Sequence, residues 1–205
     1  MLRDILSLGR FRCRAFINNV PGAPIVFLHG YMFTSDVWND INVLKVLEEN
    51  NIPFLALDMP YGLKSKCNPK SRDPDENVMV VREAIHGIFG GGIHPVLVGA
   101  SLGGYIALKY SVENPVLGLM LIAPVHGLDP NLVKNYKNLK VPVYIIYGTK
   151  DKIVELEEMK KLASHFERSK LIIYEDAEHP AYLTYPERFK QDLLELYREI
   201  HSRIP

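Results

Sequence analysis

A serine with glycines two residues to either side, Gly99-Ala100-Ser101-Leu102-Gly103, follows the apolar run Pro95 to Val98 and precedes a helical segment beginning near Leu102. A serine hydroxyl attacks a carbonyl only where a base takes its proton, and a tight strand-to-helix turn is a backbone arrangement that exposes it. Such a turn forces backbone angles that side chains resist. Gly99 and Gly103 remove the Cβ atoms that would collide with it and with neighbouring strands. The first N–H of the helix, on Leu102, lies unpaired at the positive end of the helix dipole, where it can hold a developing oxyanion. Glycine and serine also build ordinary turns, so the chemistry depends on partners elsewhere in the chain.

The partner for a serine is a neutral imidazole, which accepts a proton near pH 7 and returns it. Of the seven histidines, His179 lies in the loop Glu175-Asp176-Ala177-Glu178-His179-Pro180, after the strand candidate Leu171 to Tyr174 and at the rim expected for Ser101. His86, His165 and His201 fall in helical segments, and His94 precedes a strand at the opposite edge. His126 follows the strand candidate Leu117 to Ile122 at the correct rim and is the second candidate, its default role being substrate-side or structural. The base in turn needs a carboxylate to fix its tautomer. Asp151 closes Tyr147-Gly148-Thr149-Lys150-Asp151 after the strand candidate Val143 to Tyr147, and its competing use is to cap the segment starting near Val154. Asp176 is the alternative, placed awkwardly close to His179 in one loop. A second oxyanion donor is expected in His29-Gly30-Tyr31-Met32-Phe33, where Gly30 lets the chain turn and the N–H of Tyr31, ahead of that of Met32, points at Ser101; His29 reads as structural.

Positioning these groups requires a sheet whose strands end at one rim. Short apolar runs alternate with segments of helical period, the pattern of an α/β fold with a mostly parallel sheet of about eight strands and helices on both faces. The strands are Ile25 to Leu28, Phe54 to Leu57, Val96 to Gly99, Leu117 to Ile122, Val143 to Tyr147 and Leu171 to Tyr174. Ile5 to Leu8 and Phe11 to Ile17 flank Gly9-Arg10 as an antiparallel hairpin at one edge. Val37, Ile41, Leu44 and Leu47 share one helical face, as do Val78, Val81, Ile85, Ile88 and Phe89 in a helix that Asp73 caps and Glu76 closes with a capping box. Leu156, Met159, Ala163 and Phe166 mark one later helix; Phe189, Leu193, Leu196 and Ile200 mark another.

A chain of 205 residues is expected to form one domain, spanning residues 1–205. Its 24 basic and 24 acidic residues cancel, and no dense basic block suggests nucleic acid or a membrane anchor. Cys13 and Cys67 show no ligand spacing, so reduced thiols in a cytoplasmic protein are expected, with no metal. The amino-terminal segment has no continuous apolar core, and the run Val116 to Val125 is too short to cross a bilayer.

With His29-Gly30 after a strand, the turn at Ser101, Gly148-x-x-Asp151 and Ala177-Glu178-His179 before the last helix, the chain resembles the α/β-hydrolase family from about Ile25 onward. The resemblance implies a triad of Ser101, Asp151 and His179, an oxyanion hole from Tyr31 and Leu102, and no cofactor. Asp58-Met59-Pro60-Tyr61-Gly62-Leu63-Lys64-Ser65 departs from the family's Asp-x-Pro-Gly-x-Gly-x-Ser segment in where its glycine stands. His126 to Lys140 is too short for the helical cap that many relatives carry, so an open site is expected, with Met32, Phe33, Tyr61 and Tyr182 near the substrate. The function implied is a carboxylesterase-like serine hydrolase acting on a small-molecule ester; thioesters and amides would use the same residues. The alternative is a protein of this fold whose main role is binding a protein partner. A monomer and a homodimer paired through an edge strand are both compatible with the sequence.

Overall fold

In the computed structural model, which describes residues 1–202, the parallel strands are the apolar runs themselves. β3 (Ile25–Leu28), β4 (Phe54–Leu57), β6 (Val96–Ala100), β7 (Gly118–Ile122) and β8 (Val143–Gly148) are buried at every position. A strand covered on both faces has no polar alternation to show. With β1 (Leu2–Leu8), β2 (Phe11–Asn18) and β9 (Ser169–Tyr174) they run in the order β1-β2-β4-β3-β6-β7-β8-β9. All neighbours from β4 to β9 are parallel, and β1-β2 is the expected antiparallel hairpin. Alternate side chains divide the core. Val26, Leu28, Leu97, Leu119 and Ile145 face one cluster under α3 (Pro74–Phe89), α4 (Leu102–Glu113) and α6 (Leu156–Ser164). Phe27, Val98, Met120, Ile122 and Ile146 face the other, under α1 (Asp36–Asp40), α2 (Val43–Glu49), α7 (Ala181–Thr184) and α8 (Pro186–His201).

The structure departs from the sequence reading in four places. The stripe Val37, Ile41, Leu44, Leu47 is two helices, because Asn42 turns left-handed at φ 60° between α1 and α2. Asp73 caps α3 by accepting from the Asp75 N–H, but Glu76 closes no box with it; its carboxylate binds Arg10 and Ser71 instead. A ninth strand, β5 (Cys67–Asn68), pairs with β2 and sets Cys67 directly opposite Cys13. The two cysteines form a disulfide rather than free thiols, and the thiol argument for a cytoplasmic location goes with them. Between β7 and β8 the chain forms only α5 (Pro130–Tyr136), so no separate cap covers the rim. Among the described residues, no helix is long and apolar enough to cross a membrane.

Trp38 is fully buried between Phe27, Tyr182 and Phe189, with ring centroids 5.1, 4.9 and 5.9 Å away. It joins α1 to α7 and α8 over β3, in the middle of the sheet. Trp38→Ala is expected to cost about 3–5 kcal/mol, read as a lowered urea midpoint at unchanged slope.

Candidate active site

Ser101 stands between β6 and α4 at φ 53° and ψ −115°, outside the regions that non-glycine residues favour. What holds it there is backbone contact. A Cβ on Gly99 would lie 2.5 Å from the Gly103 carbonyl oxygen, and one on Gly103 would lie 2.2 Å from that of Leu28. The Ser101 N–H donates to Ile122 (2.8 Å), and its carbonyl accepts from Val125 (3.3 Å), so the end of β7 and the loop that follows it grip the turn. The Leu102 N–H makes no hydrogen bond among the described residues, as expected for the first residue of a helix.

Two strands further along, Asp151 and His179 meet. His179 Nδ1 lies 2.7 Å from Asp151 Oδ2. A carboxylate only accepts, so Nδ1 carries the hydrogen and Nε2 the lone pair. That Nε2 is buried and makes no hydrogen bond among the described residues, and none joins it to the Ser101 hydroxyl. Asp151 Oδ1 accepts from the N–H groups of Ile153 and Val154 (2.7 and 3.1 Å), capping a turn, while α6 takes Glu155 as its own cap. Burial pushes the Asp151 carboxyl upward, but the hydrogen bonds from His179, Ile153 and Val154 outweigh it and leave the carboxyl below its ordinary value. Packing brings the two loops together: the Lys150 N–H donates to Ala177 (2.8 Å), and a Cβ on Gly148 would lie 2.4 Å from the Ala177 oxygen. Asp176, the alternative acid, is exposed and paired with Lys150. His126 is exposed at φ 53°, edge-on to Tyr105.

After β3, the loop carrying Tyr31 is fixed by a buried polar knot. His29 is fully buried; its Nε2 accepts from the Met59 N–H (3.0 Å), so Nδ1 donates to the Gly30 carbonyl (2.8 Å). Tyr61 donates to the His29 carbonyl (2.5 Å), and the Leu63 N–H donates to Tyr31 (2.8 Å). Asp58, also fully buried, accepts from the N–H groups of Ser35 (2.6 Å) and Lys66 (2.7 Å) and from Arg14. The Tyr31 N–H makes no hydrogen bond among the described residues.

A cavity of about 640 Å³ opens beside Leu102, and Tyr61 forms part of its wall. Three of the side chains expected near substrate are not part of this wall. Met32 is half exposed, Phe33 packs against Gly30, and Tyr182 is buried at 1% exposure on Trp38, because α7 turns it inward. His126, read from the sequence as substrate-side or structural, is in the wall; Tyr105, Ile106 and Leu128 were not singled out in the sequence, and Met159 only as part of a helical stripe. Those residues sit in helical stripes and loops, where an apolar side chain facing a cavity has the same pattern as one facing the core. Among the described residues, no group of three or more His, Cys, Asp or Glu side chains is arranged to hold a metal ion.

This sheet order, with a serine turn after β6, the third of its parallel strands in sequence, and an Asp-His pair at the same rim, defines a class. A family model of the alpha/beta hydrolase domain matches residues 22–195, and the chain belongs to the α/β-hydrolase family. It is 28% identical over 182 residues to ABHD14B of Pongo abelii, whose name gives it provisionally as a protein-lysine deacylase; 83% of this chain and 81% of that protein are covered. Protein ABHD14A of Danio rerio is 26% identical over 185 residues, covering 88% of this chain and 66% of the relative. Among solved structures, a predicted CIB-like hydrolase from Thermoplasma acidophilum superposes with a TM-score of 0.84 at 23% identity, covering 97% of this chain and 98% of that one. The esterase RhEst1 from Rhodococcus sp. gives 0.79 at 17% identity, covering 98% and 99%. Those two likenesses are of fold.

Two expectations follow. Gly103→Ala drives a Cβ into the Leu28 carbonyl and should destabilise the protein by about 3 kcal/mol or more, whereas Gly87→Ala, with open space around it, should be neutral or stabilise α3; thermal melts compare them. Burial lowers the His29 pKa from its ordinary 6.5 to about 4. The unfolded chain therefore takes up this proton at a pH where the folded one refuses it, and stability falls as pH drops from about 6.5 to about 4, by about 3 kcal/mol in all. In His29→Gln the slope of stability against pH across that window should flatten.

Proposed function

We propose that the chain is a serine hydrolase that cleaves carboxylic esters through an acyl-enzyme, working as one hydrolase domain without a metal or organic cofactor. The observation that carries the reading is the Asp151–His179 pair, whose geometry leaves a lone pair on a buried Nε2 at the same sheet rim as a serine in strained backbone. In this reading His179 Nε2 takes the Ser101 proton as Oγ attacks the ester carbonyl carbon. The N–H groups of Leu102 and Tyr31 hold the oxyanion, and His179 then gives its proton to the departing alcohol oxygen. Water, deprotonated by the same nitrogen, releases the acid and restores Ser101. Asp151 stays ionised throughout and holds the imidazole in its Nδ1–H form. In this reading the Ser101–His179 hydrogen bond forms with substrate bound, a contact often loose without it.

Amide cleavage would run through the same groups, and the name of ABHD14B gives acyl-lysine as a second substrate to try. A binding role alone gives no physical reason for the strain at Ser101 or for an oriented imidazole beside it.

A fluorophosphonate probe should label the protein at Ser101, and Ser101→Ala should abolish both labelling and short-chain ester turnover. Asp151→Asn should lower kcat by on the order of 10³- to 10⁴-fold, while Asp176→Asn leaves it unchanged. Unaltered turnover in Ser101→Ala would refute the proposal.

A further inference from the structure

The cavity beside Leu102 begins one residue from Ser101 and is walled by the starts of α3 and α4, the loop leading into α5 and residues of α6, and its volume of about 640 Å³ is room for roughly twenty water-sized groups. Its interior wall is apolar: Leu102, Ile106, Pro124, Leu128, Val154 and Met159. The polar side chains of that wall are already engaged. Asn77 accepts from the Tyr61 N–H (3.3 Å) and donates to the carbonyls of Ser71 and Asp73 (3.1 and 2.7 Å). Tyr61 gives its hydroxyl to His29. Asp129 accepts from the Asn131 N–H (2.9 Å) and from the Tyr105 hydroxyl (3.3 Å), and Glu158 accepts from the Glu155 N–H (3.3 Å). Arg72 and His126 are exposed at the mouth. What the interior offers a ligand is therefore dispersion and exclusion of water, and the charged groups of the lining, Arg72, Asp129 and Glu158, lie on its exposed or half-exposed side.

A leaving group must sit against His179, which gives it a proton; neither His179 nor Ser101 is in this cavity wall, but Leu102, whose N–H holds the acyl oxygen in the reading above, is. The cavity therefore falls to the other half of the substrate. We infer that it is an acyl pocket for an unbranched aliphatic chain several carbons longer than acetyl, resting on the serine-hydrolase reading above. An acetyl group would leave most of the apolar wall wet, and each further methylene buried is worth about fourfold in kcat/KM.

Full-length protein should hydrolyse p-nitrophenyl octanoate with a kcat/KM about tenfold or more above that for p-nitrophenyl acetate. Met159→Trp and Leu128→Trp, which fill the cavity from two different elements, should each lower that ratio by about tenfold. In Ser101→Ala, calorimetry should find octanoate bound at least about tenfold tighter than butyrate. Equal or better use of acetate by a protein that the fluorophosphonate labels overturns the acyl pocket and leaves the nucleophile standing. A gain with octyl acetate in place of the octanoate ester overturns it too, by moving the chain to the alcohol side. Octanoate binding in a protein that resists labelling refutes the hydrolase reading and, with it, the acyl role, while showing the cavity to be apolar.

Discussion

Everything at the rim depends on how closely the first turn of α4 lies against the strands beneath it. The helix rests backbone to backbone, with Gly103 over the Leu28 carbonyl and Gly99 under Gly103. No side chain fits between them, so Ser101 has nowhere to relax its φ of 53° without lifting the helix from the sheet. The cost of that backbone is borne by the apolar layer on either side. β6 and β3 are buried at every position, and α4 buries Ile106, Ala107, Leu108 and Tyr110.

A second constraint is polar. Carboxylates are seldom found without solvent, and Asp58 is tolerated because three segments bring hydrogen bonds to it: the loop after β3 through Ser35, the turn before β5 through Lys66, and β2 through Arg14. Burial alone would raise its pKa, yet the N–H groups of Ser35 and Lys66 hold it below its ordinary value. Replacing such a group by an apolar one would leave several donors unpaired at once. His29 belongs to the same knot, and its two ring nitrogens are spent on holding loops, which excludes it from proton transfer.

How much of this was legible follows from which residues act through sequence period and which through contact. The parallel strands were legible because complete burial leaves uninterrupted apolar runs, and the rim positions of Ser101, Asp151 and His179 follow from standing within five residues of the ends of β6, β8 and β9. β5 was not, since two residues carry no period and exist as a strand only by pairing with β2. The break between α1 and α2 falls at Asn42, a residue that takes the left-handed turn more readily than most, and the helical spacing of the apolar stripe across it hides the break. Tyr182 follows His179 by three residues and looked like a loop aromatic, but its direction is set by Trp38, which is 144 positions earlier and invisible to local pattern. Asp58 did carry a signal, standing directly after the buried run Phe54 to Leu57, in the same position relative to its strand as His29.

The Cys13–Cys67 bond closes a covalent ring around 54 positions of chain, and that ring contains β3, the Tyr31 loop and β4. Its effect is felt most by the denatured ensemble, whose freedom it curtails by about 4 kcal/mol on a chain-entropy account. A protease that nicked the Tyr31 loop would not free a fragment: the halves would stay tethered at the edge of the sheet, and only a reductant would let them part.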